Sequence, residues 1–553
     1  MRINGSELVM EILLEHGVDT VFGYPGGAAL NIYDALYKYS DKIEHVLTAD
    51  EQGASHAADG YARATGKTGV VFATSGPGAT NLVTGLGTAF MDSIPLVAIT
   101  ANVPDSLIGR DAFQEIAISN IAIPVTKHTY LVRRIEDLES TLRNAFRIAG
   151  SGRKGPVLVD ITKDVTAEIV NYKPGAPLPL DPKPEFTEEQ VQQVADMINM
   201  SERPIVYCGG GVPASEAGDK LNELIAKANI PTSCTLMAAG TVGYDNPLAL
   251  GLGGMHGSIA ANKAYDRADL IIALGARFSD RVALNPEKFG RRARKIHVDI
   301  DASEHNKNVI VDCAVVADVG DFLEALLPKI KEKKRDEWVS LATGWKAKTG
   351  DVKSNDAELH PSEILETVCD LTDKETVYVT DVGQHQMWAA QYLKHQKTRH
   401  FLTSGGLGTM GFGYGAAIGA QKALPDCRVI HFTGDGSFHM NLNEACTAVS
   451  ENLPIITIIM NNSVLGMVYQ WQTVFYDRRH SFTEPERKTN FPALAQAFGA
   501  KGYSATTPDE FAEVFAKALK EEGPVWIDCK IAQEELVLPM IPAGGVLEDM
   551  IIG

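Results

Sequence analysis

Cysteine is scarce and unpatterned in this sequence. Seven residues are scattered through 553, an odd number with no CxxC pair, so neither a disulfide framework nor a zinc site is written into the chain. That usage fits a reducing compartment. Positive charge is also in deficit: Lys plus Arg total 51 against 70 Asp plus Glu, a formal charge of −19 that opposes nonspecific attraction to nucleic acid or anionic lipid. Neither nucleic acid nor membrane is an expected partner. No apolar run approaches the roughly 20 residues needed to span a bilayer, and the longest, such as LPIITIIM at 453–460, have the length of buried strands. The opening MRINGSELVMEILLEHGV lacks a basic region leading into an apolar core and is too acidic for an organellar transit peptide, so a cytoplasmic location is expected.

What the chain does have is an average globular composition, 45% hydrophobic and 22% charged, in a length that implies roughly three to five domains. Short β-branched runs alternate with helical patterns: VVFAT at 70–74, PLVAIT at 95–100, PVLVDI at 156–161, LIIALG at 270–275, KIHVDID at 295–301, TVYVTD at 376–381, RVIHFTGDG at 428–436 and IITIIMNN at 455–462. Such alternation predicts α/β architecture, with mainly parallel sheets flanked by helices. Two weak points divide it. The proline-rich YKPGAPLPLDPKPEF at 172–186 reads as an extended linker, and the charged KIKEKKRDEW at 329–338 with the polar KTGDVKSNDAELHP up to Pro361 carries no core-forming period. Three α/β domains are therefore expected, at 1–170, 188–330 and 359–535, followed by a tail at 536–553. No short tandem repeat of the solenoid kind is present.

The sharpest local signal is GDGSF at 434–438 after one strand and Asn461-Asn462 after another. Gly434 and Gly436 allow the backbone to approach a phosphate, Asp435 offers a hard anionic oxygen and Asn462 a neutral amide oxygen, a donor set suited to Mg²⁺ on a diphosphate. Asp-Gly alone is common in turns. Its pairing with Asn462, 28 positions beyond Gly434, raises the cofactor reading well above that alternative. A second signal is DEQGASHAADGYARATG at 50–66, where Glu51 enters an amphipathic helical pattern ahead of a buried strand. Taken alone, Glu51 is a first-turn glutamate favoured by the helix dipole. GGGV at 209–212 and GLGGMHG at 251–257 permit close backbone approach, as ligand-free glycine turns also do, and a general reading admits any Rossmann-type nucleotide there.

Together these segments resemble the thiamine diphosphate (ThDP) dependent 2-oxo acid enzymes, and within them the acetohydroxyacid (acetolactate) synthase catalytic subunits, over essentially the whole length. The segments that carry the resemblance are VFGYPGGAAL (21–30), DEQGA (50–54), ATSGPGATNLVTGL (73–86), DAFQE (111–115), GARFSDRV (275–282), HVDID (297–301), SGGLGTMGFG (404–413), GDGSF and GMVYQWQ (466–472). The resemblance implies an N-terminal pyrimidine-binding domain, a middle FAD-binding-like domain and a C-terminal diphosphate and Mg²⁺ domain. It also implies active sites shared across a homodimer or dimer of dimers, and association with a regulatory small subunit.

Site roles follow from the same resemblance. Glu51 is expected to contact the aminopyrimidine of ThDP, with a pKa raised by burial and a proton shared with N1′, so that C2 can be deprotonated. Tyr24, Pro25, Gly26, Gly27, Gly76 and Asn81 line the pyrimidine side. On the diphosphate side stand Gln384, His385, Gly408, Gly434, Asp435, Gly436, Ser437, Asn462, Leu465, Gly466 and Met467, with Asp435, Asn462 and Val464 as metal ligands. Met410 props the bent cofactor; its bland alternative is core packing. A structural FAD is assigned to Gly209, Gly210, Gly211, Met255, His256, Gly275, Arg277, Asp299, Asp301 and Asp318. Phe113, Gln114, Lys163 and Arg277 surround the substrate channel, Arg277 offering a planar fork to an acceptor carboxylate. Trp471 is tied to preference for 2-oxobutyrate, against the alternative of a core tryptophan.

The implied reaction is decarboxylation of pyruvate on ThDP and ligation of the hydroxyethyl unit to a second pyruvate or 2-oxobutyrate, giving 2-acetolactate or 2-aceto-2-hydroxybutyrate for branched-chain amino acid biosynthesis. Departures from the family pattern are Asp50 before Glu51, Ala101-Asn102-Val103 in place of Gly-Gln-Val, Ala117 after FQE and Ser463 after Asn-Asn. A related carboligase with another 2-oxo acid preference is the alternative enzyme, and a noncatalytic ThDP-binding subunit the alternative of another class. Intact Glu51, Asp435 and Asn462 oppose the second; Glu51 also opposes a glyoxylate carboligase, and RFSDR a flavin-free catabolic synthase.

Overall fold

A computed structural model describes residues 1–346 and 358–552, which build three six-stranded sheets covered by helices. The first sheet holds β1 (Thr20–Gly23), β2 (Glu44–Leu47), β3 (Gly69–Ala73), β4 (Leu96–Asn102), β5 (His128–Val132) and β6 (Pro156–Thr162), in the order β2-β1-β3-β4-β6-β5. The second holds β7 (Pro204–Cys208), β8 (Thr232–Cys234), β9 (Ala249–Leu252), β10 (Leu270–Leu274), β11 (Arg294–Asp299) and β12 (Cys313–Val316), ordered β9-β8-β7-β10-β11-β12. The third holds β13 (Val377–Thr380), β14 (Phe401–Leu402), β15 (Val429–Gly434), β16 (Ile456–Asn461), β17 (Lys501–Ala505) and β18 (Val525–Lys530), ordered β14-β13-β15-β16-β18-β17. Neighbouring strands in all three sheets run parallel. Each of the eight runs read as strands lies on one, within a residue or two of its ends.

Helices cover both faces of each sheet, which is why β4 and β6, buried at every position, read as continuous apolar runs rather than alternating ones. The first and third sheets share one strand order, so the chain contains two copies of the same topology without a short sequence repeat. The middle sheet has the doubly wound order of dinucleotide-binding folds. In such sheets ligands gather at the carboxyl ends of the strands, where the order reverses. Those switch points are β1/β3, β7/β10 and β13/β15.

Six helices position the site: α1 (Glu51–Thr65) and α2 (Val83–Asp92) in the first unit, α3 (Gln384–Tyr392), α4 (Phe412–Ala423), α5 (Asp435–Asn441) and α6 (Gly466–Phe475) in the third. The amphipathic reading of α1 is corrected here, because almost the whole helix from Glu51 to Ala64 is buried. Its second face is covered by α4. Glycines let the two backbones touch: a Cβ at Gly60 would lie 2.2 Å from the Ala416 carbonyl oxygen, and one at Gly419 would lie 1.8 Å from that of Ala57. Phe22, Ala54, Phe412 and Trp526 share the resulting core.

The seam is fixed by Glu444, fully buried, whose carboxylate accepts the amides of Ala49 at 3.2 Å and Asp50 at 3.3 Å and the Thr447 hydroxyl at 2.7 Å. Burial pushes this carboxyl from its ordinary 4.5 up to about 7 despite those hydrogen bonds. Between these pH values the folded chain holds a proton that the unfolded chain has released, so the contribution of Glu444 to stability falls as pH rises from about 4.5 to 7. Glu444→Gln is expected to remove that component. Its stability relative to the parent should rise by about 3 kcal/mol between pH 4.5 and 8, read from thermal unfolding at each pH. Parallel pH curves for the two proteins would contradict this.

The charged stretch at 329–338 is more than a divider. Arg335 is buried and donates to the carbonyls of Ile198 at 2.7 Å and Ser201 at 3.1 Å, and to that of Ala228, at the ends of the helices Glu188–Met200 and Gly218–Ala228. Helix carboxyl ends leave such carbonyls unpaired, and a guanidinium satisfies several at once. Trp338, in the helix Asp336–Gly344, donates its indole N–H to Pro204 O at 2.8 Å. Of the polar stretch that follows, 348–357 lies outside the described residues. The tail beyond 535 folds back over the middle and third units: Ile541 N donates to Met255 O at 2.8 Å and Val537 N to Gln470 Oε1 at 2.9 Å.

Candidate active site

The sequence-selected residues fall into two groups. One cavity of about 1900 Å³ runs between the middle and third units, and part of its wall, including Arg63, Asp92 and Arg153, comes from the first. Its third-unit end is built at the β13/β15 switch point. Gln384 and His385 open α3 just after β13, Gly434 ends β15, Asp435 starts α5, and Asn462 follows β16. Gln384 is locked by donating to Gln470 Oε1 at 3.0 Å and Glu535 O at 2.8 Å and by accepting from Asn462 Nδ2 at 3.1 Å. This orientation leaves Asn462 Oδ1 to accept the Val464 amide at 3.3 Å. Asp435 Oδ1 is buried with no hydrogen-bond partner, and burial raises this carboxyl to about 6. A buried anionic oxygen with no donor is the arrangement a cation relieves. His385 Nε2 is likewise buried and unpartnered, and burial, partly offset by Asp381, lowers its pKa to about 4, which keeps the ring neutral.

Glycine is required where these groups converge. A Cβ at Gly434 would lie 2.9 Å from His385 Nδ1, one at Gly466 would lie 2.0 Å from Gln384 Oε1, and one at Gly436 would meet the Leu465 side chain at 2.6 Å. Gly408, Met410, Ser437, Val464, Met467 and Trp471 line the same end, the Trp471 ring 5.1 Å from that of Phe475.

The other end of the cavity lies at the middle switch point. Gly209, Gly210 and Gly211 follow β7, and Gly275 and Arg277 follow β10; Met255, His256, Asp299 and Asp318 also line the space. Gly211 N donates to Gly275 O at 3.0 Å, so the two turns touch. Asp299, at the end of β11, is raised to about 6 by burial, and His256 is lowered to about 4, also chiefly by burial. Asp301 does not line the cavity; it accepts from Arg153, which does, at 3.3 Å. The volume exceeds the roughly 300–1,000 Å³ of a single small-ligand pocket.

The remaining residues form a separate group on the first unit. Glu51, buried at the start of α1, accepts from Asn81 Nδ2 at 3.0 Å, and a Cβ at Gly78 would lie 2.8 Å from its Oε1. Gly26 abuts Thr74, and Gly76 (φ +63°) abuts Gln114 (φ +60°). Lys163 donates to Gly27 O at 3.0 Å. Tyr24 is exposed, and Phe113 is 88% exposed, a degree of exposure that marks an apolar ring with nothing in its own chain to cover it. Tyr24, Pro25, Gly26, Gly27, Glu51, Gly76, Asn81, Phe113, Gln114 and Lys163 are all absent from the lining of the Asp435 cavity.

Three of the departures have local roles. Asp50 is the N-cap of α1, accepting from Gly53 N at 2.8 Å. Asn102 donates to the buried Asp160 at 2.6 Å and accepts the Val103 amide at 2.7 Å. Ser463 sits at φ +60°, where glycine is the easier residue, and is held by hydrogen bonds from its N at 3.2 Å and Oγ at 3.3 Å to Asn461 Oδ1. Nothing in the structure explains Ala117. Residues that motif reading missed include Arg153 and Gln470; their only sequence signal is a polar side chain inside an apolar or glycine-rich run.

Comparison with known proteins places this geometry. Residues 3–123 match Thiamine pyrophosphate enzyme, N-terminal TPP binding domain; 191–326 match the central domain of that enzyme group, and 381–529 its C-terminal TPP binding domain. Thiamine pyrophosphate is another name for ThDP, so the fold is that of a ThDP-dependent enzyme. Similar proteins include the acetolactate synthase large subunit of Parasynechococcus marenigrum (strain WH8102), 44% identical over 98% of this chain and 90% of the relative. The acetolactate synthase large subunit of Lactococcus lactis subsp. lactis (strain IL1403) is 42% identical over 99% of this chain and 96% of its own length, and the isozyme 2 large subunit of Escherichia coli (strain K12) is 42% identical over 99% of both. The chain belongs to the acetolactate synthase large-subunit family. Among the described residues, no helix is long and apolar enough to cross a membrane.

Proposed function

We propose that this chain is a carboligase that decarboxylates pyruvate and joins the two-carbon unit to a second pyruvate or to 2-oxobutyrate, forming 2-acetolactate or 2-aceto-2-hydroxybutyrate in the cytoplasm. The observation that carries the reading is the buried, partnerless Asp435 Oδ1 at the third switch point, in a chain of this family. Asp435, Asn462 and the Val464 carbonyl would hold Mg²⁺, which wants oxygen donors and keeps part of its shell for phosphate and water. The bound ThDP supplies the electron sink for carboxylate loss. Gln384 and neutral His385 would orient the diphosphate end, Met410 would support the cofactor, and Glu51 would hold or release a proton at its carboxyl facing the pyrimidine. The middle end of the cavity, with its touching glycine turns, Arg277 and room beyond one ligand, suits a structural FAD.

Because the Glu51 group lies outside the Asp435 cavity of its own chain, the complete site is assigned to two copies, one contributing Glu51, Asn81, Phe113, Gln114 and Lys163, the other the Asp435 cavity. A homodimer or dimer of dimers, joined by a regulatory small subunit like those implied by the relatives' names, is the proposed assembly. The domain limits 1–170, 188–330 and 359–535 are part of the same proposal.

Product analysis with the purified chain, ThDP, Mg²⁺, FAD and an equimolar mixture of pyruvate and 2-oxobutyrate tests the assignment. CO₂ release with both acetohydroxyacids is expected; release of neither product refutes it. In the same assay Trp471→Leu, which removes an aromatic surface from the cavity wall, is expected to erase a preference for 2-oxobutyrate of roughly tenfold or more, the range open to one apolar contact. An unchanged product ratio would detach Trp471 from acceptor choice.

A further inference from the structure

We infer that Asp92 is a positioning residue for the loop Ser404–Met410, acting across the boundary between the first and third units as one jaw of a clamp on α2. The inference rests on the function proposed above, which makes Met410 a support for the cofactor.

Asp92 and Thr88 stand four residues apart on α2 and so share one face. Both reach the same loop. Asp92 Oδ2 accepts Gly405 N at 3.0 Å and Oδ1 accepts Gly406 N at 2.7 Å, while the Thr88 and Thr409 hydroxyls lie 2.7 Å apart. The loop is thus held near its beginning and near its end, and Met410 follows directly. Gly405 and Gly406 suit this capture, because a Cβ at Gly406 would lie 2.9 Å from Asp92 Oδ1 and one at Gly405 would lie 2.8 Å from Met237 Sδ.

The carboxylate is aimed by a second buried charge. Arg63 donates to Asp92 Oδ2 at 2.9 Å and to Thr403 O at 2.8 Å, the residue just before the loop, and to both oxygens of Asp59. The Asp92 and Asp59 side chains are fully buried, and Arg63 is 4% exposed. Charge-assisted hydrogen bonds in so dry a setting are strong and directional. Asp59, on α1, accepts from the same guanidinium but touches no loop amide, and this separates packing from positioning. A support displaced by even 1 Å can cost two orders of magnitude in rate. Substituting Asn at 92 keeps the shape but puts an NH₂ opposite one of two N–H donors, releasing one edge of the loop.

The test compares holoenzymes of the parent, Asp92→Asn and Asp59→Asn by C2 proton exchange per bound ThDP and by backbone hydrogen exchange of the peptide 403–411. Asp92→Asn is expected to slow C2 exchange roughly tenfold or more and to accelerate hydrogen exchange at Gly405 and Gly406. Asp59→Asn should lower the thermal midpoint and leave C2 exchange per bound cofactor at the parent rate. Parent-like values for Asp92→Asn in both measurements, or equal slowing by Asp59→Asn, overturn the inference. A parent that lacks C2 exchange would sink the proposed function, and the amide exchange of 403–411 would then decide the clamp alone. Should Asp92→Asn yield no soluble protein, Asp92→Glu, which keeps the charge and displaces it by one methylene, is read the same way.

Discussion

Glu51→Gln is expected to abolish C2 proton exchange in bound ThDP, a loss of about 10²–10⁴-fold in the range of a removed general acid–base group, with the cofactor still bound. The substitution is close to isosteric, and the Gln oxygen can still accept from Asn81 Nδ2, now 3.0 Å from Glu51 Oε2. It adds no bulk against Gly78, whose missing Cβ leaves the space beside Oε1. What is lost is a carboxyl able to take up and return a proton. Because the Asp435 cavity does not include Glu51, diphosphate binding is untouched and affinity for ThDP should stay within a few-fold of the parent. Exchange by quenched-flow proton NMR and binding by titration separate the two effects. Parent-like exchange would take Glu51 out of the proton path, and loss of binding alone would recast it as a cofactor anchor.

The assigned groups divide according to how local their signal is. GDG and Asn-Asn sit at strand ends because a parallel sheet delivers every carboxyl terminus to one edge; β15 and β16 are adjacent, so residues 28 positions apart in sequence meet at one site. Strand positions were legible for the same reason: burial on both faces imposes continuous β-branched runs. The burial of α1 was not, since it depends on α4, some 350 residues away, and the small residues at that seam look the same in an exposed helix. Arg335 gave a misleading signal, a charge in a charged run, because the carbonyls it satisfies belong to helix ends more than 100 residues earlier. Ser463 keeps the turn that glycine would make by borrowing the Asn461 carboxamide, a substitution that motif matching registers only as a departure. The division of the site into two groups was implied by family resemblance alone; no spacing in one chain states which residues share a cavity.

Asp435→Asn is expected to move two quantities in opposite directions. In the cofactor-free chain the Asp435 carboxylate is buried with one oxygen unpaired, and an orphaned group of this kind costs about 1–3 kcal/mol, more when charged. The neutral amide reduces that cost, so the thermal midpoint without cofactor should rise. With ThDP and Mg²⁺ the same change removes the only anionic donor among the three assigned ligands. Apparent affinity for the metal and cofactor pair should fall by at least about 100-fold, the upper end of the loss seen when groups one step further from a metal are removed. A residue that merely packed the β15 turn would lower both quantities, and a surface residue would move neither. Opposite signs are the mark of a group whose folding cost is met only when a cation is bound. Differential scanning of the free chain and a Mg²⁺ titration at fixed ThDP give the two numbers. A cofactor-free midpoint at or below the parent's, with parent-like Mg²⁺ dependence, would remove Asp435 from the metal site and with it the observation on which the proposed function stands.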